Sequence, residues 1–270
     1  MEMIKKIFTD MDGTLLTSNG SVSVSTQQFM HNLEIPVTLV SARAPMEMLP
    51  TIESLGLTSP QIAFNGCLIF RPTNTGISSL FEATLDTEEV KRLSVLLTHY
   101  FPQVSASLYD HQTWYTVKNC EEVEFQKRIT GVLPVITELD KICNRPGNPF
   151  FKLMLITFDE KTMVNLTYFL TELGLKHLAI HRAGRYHLEV TSGVATKSTA
   201  ITHLLEKENL SSEEVAAFGD GYNDIPMLEL VGLPIVMENA PTDVKRLTKL
   251  ITTSNDDDGV KEGIERFILS

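Results

Sequence analysis

Short apolar runs punctuate both ends of the chain. Residues 4–9 form one, and it stops at Asp10 and Asp12. That pattern predicts a strand buried on both faces, with a polar loop at its C-terminal end. Residues 25–33 predict a helix and 36–40 a second buried strand ending at Ser41. Residues 61–64 predict a third strand, ending at Asn65-Gly66. Asn19-Gly20 between short Thr, Ser and Val runs predicts a small hairpin or flap. This strand–helix–strand alternation predicts a parallel sheet covered on its faces.

The middle of the chain has a different rhythm. Residues 86–100 predict a helix with Val90, Leu93, Leu96 and Leu97 on one stripe. Residues 104–109 and 113–117 predict an antiparallel pair around Asp110-His111. A helix over 121–129, a strand over 150–158 and a helix over 161–173 follow. Strands are expected over 178–181 and 187–190, and a Pro/Gly loop over 144–149. The first rhythm then returns: helix 197–208, strand 215–218, helix 225–231, strand 234–237, a strand-like run at 250–253, and helix 260–269. The expected fold class is α/β. One core, residues 1–80 and 187–270, is built from both chain ends, and an α+β insert spans 81–186.

Length agrees, since 270 residues at about 150 per domain give nearly two domains. Hydrophobic residues at 43% and charged residues at 21% suit a globular chain. A net charge of -11 speaks against nucleic acid or an anionic membrane as partner. It would also repel phosphorylated compounds unless a cation reversed the local field. Cys67, Cys120 and Cys143 form no CxxC pair, so neither a disulfide framework nor a cysteine-rich zinc site is expected. No signal peptide is read and no run approaches ~18 apolar residues, so the expected setting is the cytoplasm.

Candidate chemistry sits at the strand ends, where open α/β sheets bind ligands. Asp10-Met-Asp12-Gly-Thr-Leu-Leu16 places two carboxylates side by side, which suits a metal, an acid/base pair, or only a polar loop. Gly219-Asp220-Gly-Tyr-Asn223-Asp224 supplies hard oxygen donors of the kind Mg²⁺ takes, although Asp224 could instead cap the next helix. Ser41-Ala42-Arg43 offers a hydroxyl and backbone N–H groups at a helix entry, a phosphate cradle or a plain N-cap. Lys197 opens a helix against the helix dipole, held by nearby acids or simply solvated. Ser254 to Glu265 matches EF-hand spacing, but Lys261 stands where an apolar residue is needed. An Asp-rich turn capping the last helix is expected there instead.

Asp10-x-Asp12-Gly-Thr-Leu-Leu, Ser41, Lys197 and Gly219-Asp-Gly-x-Asn-Asp224, in that order, resemble the haloacid dehalogenase superfamily. The separation of 156 positions from Ser41 to Lys197 resembles its Cof-type branch, with a C2-type cap inserted there. Asn65-Gly66, Asn239-Ala240 and the tail Asn255-Asp-Asp-Asp-Gly259 resemble that branch too. Ala42 and Ser198 replace its usual glycines, and the 193–197 loop is one residue longer.

The resemblance implies a Rossmann-like parallel-sheet core with a cap that sets specificity. It implies Asp10 as nucleophile and Asp12 as acid and base. Mg²⁺ would be held by Asp10, the Asp12 backbone carbonyl and Asp220. Asp224 and Asn223 would orient the metal shell and Lys197. Ser41, Ala42, Arg43, Lys197 and Asn223 would bind the phosphate, with Ser41 and Lys197 stabilising its charge. Arg182, Arg185 and His187 could meet a second anionic group, or serve only as surface. The expected function is a Mg²⁺-dependent phosphatase of small phosphorylated metabolites such as sugar phosphates, acting through an aspartyl-phosphate. A sugar phosphomutase or a non-catalytic metabolite-binding protein are the alternatives. A monomer or weak homodimer is expected.

Overall fold

The computed structural model describes residues 3–138, 141–142 and 149–270. Cys143 and all but the last residue of the expected 144–149 loop lie outside them. The described chain divides into two units. One comprises Met1–Arg43, Met48–Phe81 and Thr196–Ser270, and the other Ala44–Glu47 and Glu82–Ala195. No helix among the described residues is long and apolar enough to cross a membrane.

In the first unit, β1 (Lys6–Thr9), β2 (Val37–Leu39), β12 (Val215–Gly219) and β13 (Leu233–Val236) form a parallel sheet in the order β13-β12-β1-β2. β1 is central and pairs on both edges, with Ile7 and Phe8 fully buried. That is why it reads as an unbroken apolar run. Lys6 is buried as well, and its ammonium reaches Glu208 at 2.7 Å. β3 (Gln61–Ala63) adjoins β2 through a parallel bridge from Val40 to Ile62. The helices of this unit are α1 (Val24–His31), α2 (Pro45–Ser54), α6 (Lys197–Glu208), α7 (Ile225–Leu230), α8 (Thr242–Lys245) and α9 (Gly259–Phe267). The first residues of α2 group with the other unit.

Four local expectations change. β4 (Leu68–Thr73) and β5 (Gly76–Glu82) extend β3 as an antiparallel sheet where no strands were expected. The flap at Asn19-Gly20 is a turn without paired strands: Thr17 N donates to Ser21 O at 2.9 Å, and Gly20 takes φ +74°. The 250–253 run makes one bridge, Val236 to Ile251, and no strand. Asp258 precedes α9 but does not cap it; its carboxylate accepts from Ser23 and Thr26 instead.

The second unit holds a six-stranded sheet in the order β10-β11-β9-β6-β7-β8. Its strands are β6 (Ser105–Tyr109), β7 (Trp114–Thr116), β8 (Val135–Ile136), β9 (Lys152–Ile156), β10 (Leu178–Arg182) and β11 (His187–Ser192). Its helices include α3 (Thr87–Tyr100), α4 (Glu121–Thr130) and α5 (Glu160–Glu172). Period-two alternation sorts the strands into two faces. Leu108, Leu153, Leu155, Leu188 and Val190 pack with Val90, Leu93 and Leu97 of α3 and Met163, Leu166 and Leu170 of α5. Ser107, Tyr109, Lys152, Glu189 and Thr191 occupy the opposite registers. β11 pairs residue by residue with β9, so residues 187–195 belong to this unit and not to the core expected to resume at 187. The physical reason is the antiparallel ladder from Lys152–Thr191 to Ile156–His187, a long-range pairing that local sequence does not announce.

Candidate active site

The loop after β1 and the loop after β12 leave neighbouring parallel strands at the same sheet edge, so their acids converge. Oxygens of Asp10, Asp220 and Asp224 lie within 4.8 Å of one another. Asp10 is 6% exposed and Asp224 fully buried. Lys197, the first residue of α6, is 2% exposed and enters the same group. Its ammonium pairs with Asp10 Oδ1 and, at 2.7 Å, with Asp224 Oδ1. Thr196 caps α6, which fixes where Lys197 leaves the backbone. The lysine is therefore held by acids and is not a solvated surface residue.

Asp224 organises the loop around it. Its Oδ2 accepts from the backbone N–H groups of Asp220 at 3.0 Å and Gly221 at 2.9 Å. Its side chain makes no cap to α7. Thr14 donates to Asp220 Oδ1 at 2.7 Å and so joins the two loops. Gly13, at φ +83°, has no room for a side chain: a Cβ there would stand 2.5 Å from Asp220 Oδ2.

Electrostatics follow from this packing. Burial pushes the Asp10 carboxyl well above its usual range, and Asp224 adds to that while Lys197 opposes it. Burial works against the Lys197 ammonium, but Asp10 and Asp224 outweigh it and raise its pKa. Asp220 is pushed up to about 6, chiefly by burial. Three carboxyl groups gather at one lysine, which pairs with two of them, an excess of negative charge that a divalent cation would balance.

The remaining expected residues are placed differently. Asp12 lies outside the gathered oxygens, with its side chain 58% exposed. Arg43 forks onto it, Nε to Oδ2 at 2.8 Å and Nη2 to Oδ1 at 2.5 Å. Arg43, expected to meet phosphate, thus meets the expected acid. Ser41 is buried at the end of the β2 segment, and its Oγ accepts from Arg43 N at 3.1 Å. Ala42 is half-buried between them, and Asn223 is exposed. In the second unit, Arg182 pairs with Glu160 at 2.5 Å and His187 meets Gln126 at 2.9 Å. Sequence reasoning missed the bond from Thr14 and the Arg43–Asp12 fork. A hydroxyl inside the Asp10–Leu16 loop was the available signal for the first.

Comparison with known proteins agrees with this arrangement. The model of the haloacid dehalogenase-like hydrolases matches residues 7–264. The chain is 30% identical to a Haemophilus influenzae protein with a provisional phosphatase name, over 96% of each. It is 26% identical to a 5-amino-6-(5-phospho-D-ribitylamino)uracil phosphatase of Bacillus subtilis, over 98% of each. A solved haloacid dehalogenase-like hydrolase of Bacteroides thetaiotaomicron superposes with a TM-score of 0.88 at 26% identity, covering 97% of this chain and 99% of its own. With its acids and Lys197 at the ends of a parallel sheet, the chain belongs to the haloacid dehalogenase-like hydrolase family.

Proposed function

We propose that this protein is a Mg²⁺-dependent phosphatase of small phosphorylated metabolites, sugar phosphates among them, working through an aspartyl-phosphate. The observation that carries the reading is the buried Asp10–Lys197–Asp224 group with Asp220 beside it. Asp10 is the nucleophile: a carboxylate oxygen attacks phosphorus, and the bond to the substrate oxygen breaks. Asp12 protonates the departing alkoxide. Its exposed carboxylate, reached by Arg43, then takes a proton from the water that cleaves the aspartyl-phosphate. Free phosphate and the Asp10 carboxylate result. Lys197 neutralises charge on the transferring group, and Asp224 fixes the lysine. Ser41, with Ala42 and Arg43 beside it, completes the phosphate cradle, its Oγ already accepting from the Arg43 N–H, with Asn223 at its rim.

Mg²⁺ fits this donor set, because hard carboxylates gather there with too little positive charge of their own. Asp10, Asp220 and the Asp12 backbone carbonyl would hold it, with Asp224 behind them. When bound, it supplies charge neutralisation that lets an anionic carboxylate approach an anionic phosphoryl group. The Bacillus subtilis relative is named for a phosphate ester of a polyhydroxylated side chain, which supports a small phosphomonoester substrate. Three cysteines without a disulfide framework support a cytoplasmic setting, and a monomer or weak homodimer is the proposed state. A metabolite-phosphate panel with Mg²⁺ tests the reading. Release of inorganic phosphate, lost on adding chelator and in Asp10→Asn, is expected. No release from any ester, including p-nitrophenyl phosphate, overturns it.

A further inference from the structure

The Asp-rich tail puts no side-chain cap on α9. Its hydrogen bonds run to the loop that carries Asp10 and Asp12. Asn239 Nδ2 donates to Gly13 O at 2.8 Å, and Asn255 Nδ2 donates to Leu16 O at 2.9 Å. The two asparagines are themselves joined, Asn255 N to Asn239 Oδ1 at 3.1 Å. One residue on, Asp256 Oδ1 accepts from Ser18 N at 2.7 Å. Asp258 then accepts from Ser23 and Thr26 at the start of α1.

The residue types suit their partners. Gly13 and Leu16 present carbonyl oxygens, which only accept, so the tail must supply donors. A lysine could donate, but its charge would compete with Lys197 for the nearby carboxylates. An aspartate could not donate, and its charge would add to an existing excess. The asparagine amide donates without charge. At Asn239 the amide orientation is set from both ends, since one partner is a carbonyl and the other an N–H.

We propose that Asn239 and Asn255 are positioning residues for the Asp10–Leu16 loop, and through it for the acid carboxyl of Asp12. This rests on the phosphatase reading. The loop turns at Gly13 with φ +83° directly after Asp12, so its course is fixed by what holds Gly13 and the residues beyond. Thr14 holds one side through Asp220, and the asparagine pair holds Gly13 and Leu16. A displacement of about 1 Å in such a loop costs up to about 100-fold in rate.

Leaving-group dependence tests the proposal. kcat/KM covers events up to the first phosphoryl transfer, where Asp12 protonates the leaving oxygen. p-Nitrophenolate leaves with little help, whereas an alkoxide requires the proton. The comparison uses p-nitrophenyl phosphate and the alkyl phosphate that the wild type turns over best. In Asn255→Asp and in Asn239→Asp, kcat/KM for the alkyl ester is expected to fall about tenfold further than for the aryl ester. The double variant is expected to lose less than the product of the single losses, because the two residues act as one unit. Asp258→Asn loosens the same turn on its α1 side and is expected to lower Tm while leaving the alkyl-to-aryl ratio within about twofold. Equal losses on both esters, or no loss, overturn the proposal. So does a ratio change in Asp258→Asn as large as in the asparagine variants. An inactive wild type refutes the phosphatase reading itself, and the two failures are therefore distinct.

Discussion

Each unit buries a lysine against a carboxylate, and the two settings differ in charge balance. In the second unit, Lys152 and Glu189 stand on adjacent strands 3.1 Å apart, both nearly inaccessible. The Lys152 ammonium also lies 4.9 Å from the centre of the Tyr109 ring. The cation there meets Glu189 and an aromatic face, and the buried Glu47 and Glu189 carboxylates both raise the Tyr109 pKa that its burial already pushes up. In the first unit, Lys197 meets Asp10 and Asp224 directly, with Asp220 close by. One cation there faces three carboxyl groups, and two of them, Asp10 and Asp220, are raised in pKa by burial and by repulsion from Asp224. The Lys152–Glu189 pair joins two neighbouring strands of a sheet. An unbalanced buried group stores a demand for another cation, and that demand is how a structural motif becomes a site.

The largest test sets one variant in each unit side by side. Asp10→Asn is expected to lower phosphatase turnover on the order of 10⁵-fold, as loss of a nucleophile does. Its metal-free Tm is expected to hold or rise, because a repelled carboxylate is removed. Glu189→Gln removes the carboxylate of a buried ion pair, and a loss of about 3–5 kcal/mol is expected. At this chain length that is roughly 10 °C in Tm, read by calorimetry. If both variants lost the same stability, the contrast in charge balance would be wrong.

The second test adds Mg²⁺ and varies pH. Mg²⁺ at about 100 times its Kd should stabilise the wild type by about 2.7 kcal/mol, and the gain should vanish in Asp220→Asn. The proton competes with the metal. Asp220 titrates at about 6 in the folded chain, above its ordinary value of 3.8. The folded state therefore binds more protons than the unfolded state between those values. Metal-free stability should fall as pH rises through that window and level off above it. Apparent Mg²⁺ affinity should weaken by up to about tenfold per pH unit below about 6, as titration calorimetry would record. An affinity that stays flat from pH 7 to pH 5 would exclude Asp220 as a ligand.

The same contrast explains what could be read from the sequence. Asp10, Asp220, Asp224 and Lys197 were legible because each follows or opens an element with a strong local signal. β1 and β12 are continuous apolar runs, and α6 begins at a threonine cap. Parallel neighbours place such strand ends together with no further information. The Lys152–Glu189 pair was invisible, because it depends on β11 lying beside β9, a pairing across 37 residues. The same blindness placed the core boundary at 187. β4 and β5 escaped notice because Arg71, Pro72 and Asn74 break the apolar run, although Asn74-Thr75-Gly76 was a usable turn signal. The Arg43–Asp12 fork escaped for a third reason. Residue type shows that an arginine seeks an anion, but not whether that anion is substrate or a neighbouring side chain.

The smallest effect concerns an ion pair that is exposed instead of buried. Arg182 bonds Glu160 at 2.5 Å, and Arg185 stands 3.8 Å from the same carboxylate. Side-chain exposures of 36%, 51% and 72% leave all three groups in water. Screening and side-chain entropy then remove most of the Coulomb gain. Arg182→Gln is expected to change stability by less than about 1 kcal/mol, with no effect of Mg²⁺ on the difference. The variant also separates two roles for this arginine. If Arg182 served a second anionic group of the substrate, KM for a doubly phosphorylated ester would rise in Arg182→Gln while KM for a monophosphate stayed fixed. Because Glu160 already occupies the guanidinium, equal KM values for wild type and variant are expected on both esters. Of the lysine and arginine pairs compared, only the one with excess negative charge should then respond to metal.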